Sequence, residues 1–325
     1  MGQLTIWTNA LLNERAASHL REACQAHRLI LASPPPDVLS KGAPDLALQE
    51  AQVAFGQPDP DLLTANPDLR WVHLSSAGYA RYDTAALRSR VEEGGLLVTN
   101  SSWVFAEPCA QHALAFILAH SRQLHAAYEV QRTDRSWPHV ALRARCHLLE
   151  NQVILLAGFG SIGARLAELL APFHARVLGL RRRKQSLPQV ELIDETQLPE
   201  ALAAADHVVN ILPENGSTPG FFGAARFNLF KPGACYYSIG RGATTDQQAL
   251  ADALSAGRLA GAYLDVTDPE PLPPDHPLWF APRCYITPHS SGGHANEPER
   301  MVEHFLRNLR RFEQGQPLEG LLLQP

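Results

Sequence analysis

Residues 152–180 read QVILLAGFGSIGARLAELLAPFHARVLGL and form a regular pattern within the chain of 325 residues. The apolar run VILLA is followed by a glycine-rich turn, a run with helical spacing and a second apolar run. The turn, GFGSIG, places Gly158, Gly160 and Gly163 in the pattern G-x-G-x-x-G. This order of strand, tight turn, helix and strand predicts a parallel α/β unit.

The glycines also predict a turn that binds phosphates. The first allows a tight turn, the second lets the backbone approach a pyrophosphate, and the third lets the helix pack on the strand. Because the N-terminus of a helix offers N–H groups to phosphates, Ser161 and Ile162 join the glycines as candidate dinucleotide contacts. The alternative is a purely structural turn, but the flanking strand and helix favour a cofactor.

The second strand of this unit ends in the basic run RRRK, residues 181–184. An adenosine ribose with a free 2′-hydroxyl is usually held at this place by Asp or Glu. Arginine cannot accept a hydrogen bond from a hydroxyl, but it can bind a phosphate through two parallel hydrogen bonds. Arg181 and Arg182 therefore predict a preference for NADP(H), with NAD(H) also possible. The alternative is a solvated basic loop that touches neither cofactor.

Short apolar runs alternate with helical ones elsewhere, which predicts more parallel sheet. In the first hundred residues, the predicted strands are Leu4–Thr8, Val53–Gly56, Trp71–Ser76 and Leu96–Asn100, and the predicted helices are Glu14–Ala26 and Asp59–Ala65. A helix is predicted over Ala106–Arg122, with Pro108 near its start, and the polar segment Gln123–Asn151 follows as an arm. The runs HVVNILP, ACYYSIG, GAYLDV and CYITPH predict further buried strands.

Composition argues against several classes of protein. The net charge of −5 disfavours a dedicated nucleic-acid binder. The start of the chain does not resemble a secretion signal, and no apolar run is long enough for a membrane span. The five cysteines are odd in number and widely spaced, without a C-x-x-C motif. They predict reduced thiols and a cytoplasmic location rather than a disulfide framework or a metal site.

Three later stretches carry residues suited to one reaction: SIGRG with Arg241, DVTDPEPLP with Glu270 and ITPHSSGG with His289. Each follows a predicted strand, so the three side chains are expected at the edge of the sheet where ligands bind. Histidine can donate a proton near neutral pH, a carboxylate can fix its tautomer, and arginine can hold a substrate carboxylate. Each residue alone could be structural, but their joint occurrence behind the glycine turn favours hydride transfer to a 2-keto acid.

From about Trp71 onward the chain resembles the D-isomer-specific 2-hydroxyacid dehydrogenases. The resemblance rests on GFGSIG, NILPENGSTPG, KPGACYYSIGRGATTD, GRLAGAYLDVTDPEPLPPDHPLW and ITPHSSGG. It implies a two-domain α/β fold, with a Rossmann-type doubly wound parallel sheet in a dinucleotide-binding domain over residues 101–294. A smaller flavodoxin-like α/β catalytic domain, which binds substrate, would consist of residues 1–100 and 295–325. A homodimer paired through the arm is also implied.

The same resemblance assigns residue roles. Arg241 would bind substrate and take part in catalysis, Glu270 would be the partner of the histidine, and His289 would be the general acid and base. Further implied contacts are Leu212, Pro213, Thr218 and Ile239 along the cofactor, Asp265 with the nicotinamide carboxamide, and the N–H groups of Ala77 and Gly78 with the substrate carboxylate. The glycine-containing turn at residues 77–78 suits an anion, although it could also be a loop that needs glycine.

The implied activity is NADP(H)-preferring reduction of a small 2-keto acid such as glyoxylate or hydroxypyruvate. One alternative is a dehydrogenase of another small anion. Formate is disfavoured because Glu270 stands where related enzymes have glutamine, and phosphite because Ala77 stands where they have lysine. The other alternative is a nicotinamide-sensing regulatory protein on the same fold. Trp103 occupies a position often held by glycine, and it could narrow the pocket or fill the domain junction.

Overall fold

Two parallel sheets organise the chain in a computed structural model that describes residues 2–36, 40, 42–181 and 190–323. The chain divides into two compact units, one formed by Met1–Phe105 with His294–Pro325 and the other by Ala106–Gly293. The predicted α/β class is confirmed, since both sheets are parallel and connected through helices.

The first unit contains a sheet of five strands. They are β1 (Thr5–Thr8), β2 (Arg28–Leu31), β3 (Val53–Gly56), β4 (Trp71–Leu74) and β5 (Leu97–Asn100). Their order is β2-β1-β3-β4-β5, which is the flavodoxin-like order. The central strands β3 and β4 are buried along their whole length, as parallel strands covered on both faces should be. The sequence prediction missed β2, an edge strand with partly exposed side chains.

The second unit contains a sheet of seven strands. They are β6 (Val153–Ala157), β7 (Arg176–Leu180), β8 (Val190–Ile193), β9 (His207–Asn210), β10 (Cys235–Ser238), β11 (Gly261–Leu264) and β12 (Cys284–Ile286). The order β12-β11-β10-β9-β6-β7-β8 is doubly wound and reverses direction between β6 and β9. Ligands bind such sheets at that reversal, beyond the carboxyl ends of the strands. The sequence prediction also missed β8, one of the two edge strands of this sheet.

Helices connect the strands. They are α1 (Glu14–Ala23), α2 (Pro60–Ala65), α3 (Ala85–Glu92), α4 (Ser102–Ser121), α5 (Leu124–Arg132), α6 (His139–Arg145), α7 (Ser161–Leu170), α8 (Leu198–Ala204), α9 (Ala224–Phe227), α10 (Gln247–Ser255) and α11 (Glu297–Glu313). The prediction for α4 was wrong at its start, because the helix begins four residues earlier and Pro108 lies inside it. Across the described ranges, no helix has the length and apolar character to cross a membrane.

The core of the first unit joins its two sequence segments. Phe305 of α11 stacks on Phe55 and Trp71, with ring centroids 4.4 Å and 5.2 Å apart. Phe312, near the end of the same helix, stacks on Trp71 at 5.4 Å. Full burial of each such side chain contributes roughly 1.5–3 kcal/mol, so α11 is an integral part of this unit.

The residues after α11 extend the first sheet. Leu321 forms an antiparallel bridge with Thr99, and the N–H of Leu322 donates to the carbonyl oxygen of Val98 at 2.8 Å. The N–H of Asn100 donates to the carbonyl oxygen of Gly320 at 3.2 Å. We call residues 318–322 the C-terminal segment; it pairs with the outer edge of β5.

Candidate active site

The glycine turn follows β6, at the reversal of strand order. Gly158 has φ +96°, and a Cβ there would lie 2.7 Å from the carbonyl oxygen of Ile211, so conformation and packing both require glycine. A Cβ on Gly163 would lie 3.3 Å from the carbonyl oxygen of Gly158, which is tight packing. At Gly160 a Cβ would meet no atom within 4 Å, so open space borders the middle of the turn.

The N-terminus of α7 faces this turn without a side-chain cap. The N–H of Ala164 makes the first hydrogen bond of the helix, to the carbonyl oxygen of Gly160 at 2.9 Å. The N–H groups of Ser161, Ile162 and Gly163 therefore have no acceptor inside the helix. N–H groups at a helix N-terminus beside open space suit a pyrophosphate. These residues fit the dinucleotide that the sequence predicted.

Arg181 directly follows β7, the neighbour of β6 in the sheet. Its N–H donates to the carbonyl oxygen of Ile193 at 3.1 Å, and its side chain is partly exposed. The structure thus places Arg181 at the strand end where the ribose partner was expected. Arg182, the second predicted phosphate contact, lies outside the described residues.

Four more predicted cofactor contacts follow β9 and β10, on the same edge of the sheet as the glycine turn. Leu212 and Ile239 are buried, and Pro213 is exposed. The hydroxyl of Thr218 donates to the carbonyl oxygen of Pro213 at 2.8 Å and accepts from the N–H of Asn215 at 2.9 Å. Thr218 therefore fixes the turn that follows Leu212.

The sequence prediction did not include Asn210, which is fully buried at the end of β9. Its side-chain NH2 donates to the hydroxyl of Thr244 at 2.7 Å and to that of Tyr236 at 2.9 Å. Its side-chain oxygen accepts from the N–H of Leu212 at 3.1 Å. Asn210 therefore connects the turn after β9 with the turn that carries Arg241. A polar residue closing the apolar strand HVVN was the signal in the sequence.

Arg241 follows β10 in extended backbone, between two glycines. Its guanidinium donates to the carbonyl oxygen of Gly240 at 2.6 Å. A Cβ on Gly240 would lie 2.6 Å from the carbonyl oxygen of Leu212, and one on Gly242 would overlap the carbonyl oxygen of Thr267. Close approach of two neighbouring turns therefore fixes the backbone on both sides of Arg241.

Glu270 and His289 form a hydrogen-bonded pair. Glu270 Oε2 lies 2.7 Å from His289 Nδ1, and Glu270 Oε1 accepts from the N–H of Thr267 at 2.9 Å. Burial would raise the pKa of Glu270, but the hydrogen bonds from His289 and Thr267 and the charges of His289 and Arg241 lower it. The ionised carboxylate can only accept, so Nδ1 carries the hydrogen and Nε2 is left for a substrate. The structure thus pairs Glu270 with His289, and the positive charge of Arg241 helps to lower the pKa of that carboxylate.

Asp265 is 1% exposed and directly follows β11. Its Oδ1 accepts from the hydroxyl of Thr287 at 2.5 Å and the N–H of Ser290 at 2.9 Å, and its Oδ2 accepts from the N–H of Ser291 at 2.9 Å. Burial would raise the pKa of Asp265, but these hydrogen bonds hold it below its usual value. The structure therefore shows Asp265 organising the turn around His289; its contact with the carboxamide stays a prediction.

Ala77 and Gly78 lie in the turn after β4, in the first unit. Within the described part of the chain, the N–H of neither residue has a hydrogen-bond acceptor. Trp103, also in the first unit, is 43% exposed. The guanidinium groups of Arg300 and Arg307 lie 5.1 Å and 4.6 Å from the centroid of its ring. Within this unit Trp103 therefore packs on α11 through cation–π contacts.

Comparison with known families settles the class. The family model described as D-isomer specific 2-hydroxyacid dehydrogenase, NAD binding domain, matches residues 114–291, more than half of the chain. The chain belongs to this family. The resemblance inferred from the sequence motifs is thereby confirmed, and the protein is a nicotinamide-dependent 2-hydroxyacid dehydrogenase.

Individual relatives agree with this membership. The dehydrogenase is 32% identical to a glyoxylate reductase of Aeropyrum pernix over 265 residues, which are 79% of this chain and 77% of the relative. It is 27% identical to glyoxylate/hydroxypyruvate reductase A of Photorhabdus laumondii over 272 residues, 82% of this chain and 83% of the relative. A crystal structure of a family member from Xanthobacter autotrophicus Py2, in complex with NADPH and MES, superposes with TM-score 0.81 at 26% identity, covering 99% and 98% of the two chains.

Proposed function

We propose that this dehydrogenase reduces a small 2-keto acid such as glyoxylate or hydroxypyruvate, with NADPH as the preferred cofactor. The observation that carries the proposal is the pair of Glu270 and His289, held at 2.7 Å within the electrostatic reach of Arg241. The similarity to enzymes named glyoxylate reductase supports the choice of substrate class. The proposal includes residues 101–294 as the dinucleotide-binding domain and residues 1–100 with 295–325 as the substrate-binding domain.

The proposed roles follow from the geometry. When bound, the nicotinamide supplies a hydride to the keto carbon. His289 then donates the proton on Nε2 to the oxygen that becomes the hydroxyl, while Glu270 stabilises the imidazolium through Nδ1. Arg241 binds the substrate carboxylate and polarises the keto group. The product is a 2-hydroxy acid, and His289 is left neutral.

Cofactor contacts belong to the same proposal. The turn at Gly158, Gly160 and Gly163 would hold the pyrophosphate with the N–H groups that begin α7. Further assigned contacts are Leu212, Pro213, Thr218, Ile239 and, for the carboxamide, Asp265.

The preference for NADP(H) rests on Arg181 at the end of β7. The variant Arg181→Asp is expected to raise the KM for NADPH about tenfold, because one charge-assisted contact is lost, and to leave the KM for NADH unchanged or lower. Arg176→Ala is the control, because Arg176 begins the same strand and pairs with Glu191 at 2.7 Å. Equal effects of Arg181→Asp on both cofactors would contradict the preference.

A homodimer formed through the arm and a cytoplasmic location also belong to the proposal. The helices α5 and α6 and their connection expose Tyr128, Trp137 and Val140 by 57%, 87% and 69%. Such exposed apolar side chains suit an interface. Light scattering should give a mass twice that of the chain, which is 35.6 kDa. The double variant Trp137→Ser, Val140→Ser should shift the measured mass toward that of the monomer. A monomeric wild type would contradict this part.

Steady-state oxidation of NADPH and NADH with glyoxylate, hydroxypyruvate and pyruvate tests the function. Turnover with NADPH preferred is expected, and His289→Ala should lower kcat by about 10²–10⁴ while cofactor binding persists. His19→Ala, at an exposed position on α1, is the control. Undiminished reduction by His289→Ala would overturn the mechanism. Tight cofactor binding without turnover of any keto acid or of phosphite would favour a sensor instead.

A further inference from the structure

Three successive carbonyl groups are held in the turn after β4. The carbonyl oxygen of Ser76 accepts from the N–H of Ser101 at 3.1 Å, that of Ala77 from the side-chain NH2 of Asn100 at 2.6 Å, and that of Gly78 from the hydroxyl of Ser76 at 2.6 Å. A peptide unit is planar, so fixing its carbonyl also fixes the direction of its N–H. The carbonyl bonds therefore set where the N–H groups of residues 77 and 78 point.

The side-chain amide of Asn100 is held in the orientation that bonds the carbonyl of Ala77. It is 3% exposed at the end of β5. Its side-chain oxygen accepts from the N–H of Ser102 at 3.3 Å, which directs the NH2 group toward the carbonyl of Ala77. Its own N–H donates to the carbonyl oxygen of Gly320 at 3.2 Å.

The C-terminal segment holds Asn100 from the other side. Gly320 has φ +74°, and a Cβ there would lie 3.1 Å from the carbonyl oxygen of Asn100, so only glycine fits easily. The neighbouring Glu319 is fixed to α11 through Asn308, whose side chain accepts from the N–H of Glu319 at 2.9 Å and donates to its carbonyl at 3.0 Å. A continuous set of hydrogen bonds thus runs from α11 through the segment and Asn100 to Ala77.

We propose that Asn100 is a positioning residue for the substrate carboxylate and that the C-terminal segment holds it in place. The inference rests on the proposed function and on the role that the sequence resemblance implies for the N–H groups of Ala77 and Gly78, which is to bind the carboxylate of the 2-keto acid. Without the amide of Asn100, the peptide after Ala77 loses the bond that orients it, so the N–H of Gly78 no longer points with that of Ala77, which the bond between Ser76 and Ser101 still holds. Substrate affinity falls, whereas the pair of Glu270 and His289 lies in the other unit and keeps its geometry.

The test compares two pairs of variants. Asn100→Ala is expected to raise the KM for glyoxylate about tenfold, with kcat and NADPH affinity little changed. Gly320→Ala should act in the same direction. Asn66→Ala is the control for Asn100, because Asn66 is buried in the same unit but donates to Leu48 and Ala51. Gly315→Ala is the control for Gly320, because Gly315 has φ +64° and no atom within 4 Å of its Cβ position.

A readout without turnover separates this inference from the proposed function. Protein labelled with 15N-glycine contains 22 labelled residues, and the amide signal of Gly78 can be assigned with Gly78→Ala. Titration with oxalate, a dicarboxylate that cannot be reduced, should shift this signal, and Asn100→Ala should raise the midpoint about tenfold. Unchanged KM and midpoint in Asn100→Ala, or no shift in the wild type, would overturn the inference. If oxalate shifts the Gly78 signal but the wild type does not reduce glyoxylate, only the proposed function is overturned.

Discussion

The N–H of His289 donates to the carbonyl oxygen of Asp265 at 2.8 Å, and the carboxylate of Asp265 accepts from the N–H groups of the next two residues, each at 2.9 Å. His289 has φ +49°, a backbone region that residues other than glycine rarely adopt. These hydrogen bonds stabilise His289 in this unfavourable backbone conformation. The orientation of the candidate general acid therefore depends on a buried carboxylate that binds the backbone around it.

Replacing Asp265 by Ala should destabilise the turn that carries His289. The N–H groups of Ser290 and Ser291 would lose their acceptor, at a cost of roughly 1–3 kcal/mol each in the free energy of unfolding. The kcat for reduction should fall about tenfold or more, because His289 loses its orientation. Urea unfolding and steady-state kinetics measure the two effects. Asp59→Ala, which removes the cap of α2, should lower stability without changing kcat; equal kcat in wild type and Asp265→Ala would refute the role.

Replacing Glu270 by Gln should change the pH dependence of reduction. Glu270 has a lowered pKa, so its negative charge is present throughout the neutral range and is lost only at low pH. Glutamine keeps an acceptor for Nδ1 but cannot stabilise an imidazolium by charge. The rate at neutral pH should fall about tenfold or more, and the alkaline limb of the pH–rate profile should move to lower pH. A profile that coincides with that of the wild type contradicts the pairing.

The same lowered pKa predicts a pH dependence of stability. A carboxyl whose folded-state pKa lies below its unfolded value stabilises the fold above the unfolded value, and this contribution is lost as the pH falls through the folded value. Between neutral pH and the acid range, the wild type should therefore lose more stability than Glu270→Gln. Urea unfolding at several pH values measures the difference, and parallel losses would contradict it.

Replacing Gly158 by Ala should cost more than a backbone conformation alone explains. Gly158 and Gly233 both have positive φ, +96° and +83°, but only Gly158 would place a Cβ against backbone, at 2.7 Å from Ile211. Gly158→Ala should lower the melting temperature more than Gly233→Ala does, and it alone should abolish NADPH binding. Calorimetry and cofactor fluorescence give the comparison. Similar losses in both variants would mean that the close approach is unimportant.

Two histidines with lowered pKa values, the buried His207 and the partly buried His120, should make the second unit acid-sensitive. Burial lowers the pKa of His207 to about 3 and that of His120 to about 4, and each charge would oppose the other. The unfolded chain therefore binds more protons below the ordinary value of 6.5, so the free energy of unfolding should fall between about pH 6.5 and pH 4. The slope is at most ~1.4 kcal/mol per pH unit for each histidine, and less for the partly exposed His120.

His120→Leu should flatten that slope, while His19→Leu on the exposed face of α1 should leave it unchanged. Urea unfolding at pH 7, 6 and 5 is the measurement. A wild type whose stability does not change over this range would show that the two rings are protonated as easily in the folded state as in the unfolded chain.

Local patterns predicted the central parts of both sheets. Strands such as β3 and β6 are apolar over their whole length and stand next to clear turns, so periodicity finds them. The missed strands β2 and β8 lie at sheet edges and include exposed and partly exposed positions. Their sequences carry no period strong enough to separate them from loops.

The start of α4 shows tertiary packing overriding a local rule. Pro108 predicts a nearby helix start because it cannot donate a backbone hydrogen bond. The helix nevertheless includes the preceding turn, in which Val104 is fully buried and Phe105 packs against the core of the first unit. Burial of these side chains offsets the missing bond, and no pattern near the proline reveals it.

The sequence predicted only part of the candidate site, because some of its residues depend on long-range contacts. The glycine turn, Arg241, Glu270 and His289 stand in recognisable local sequences. The supporting roles of Asn100 and Asn210 were not predicted, because their partners are distant in sequence and meet them only when parallel strands align. Supporting residues of this kind follow from strand register rather than from motifs.

The split of the first unit between the two parts of the sequence has a consequence for synthesis. When residues 106–293 have left the ribosome, the second unit has all of its sequence, but the first unit still lacks α11. The aromatic surface formed by Phe55 and Trp71 then remains without the ring of Phe305 that covers it. For the time needed to translate nearly two hundred residues, the nascent chain must keep this surface from aggregating, and chaperones that bind exposed aromatic side chains would act in that interval.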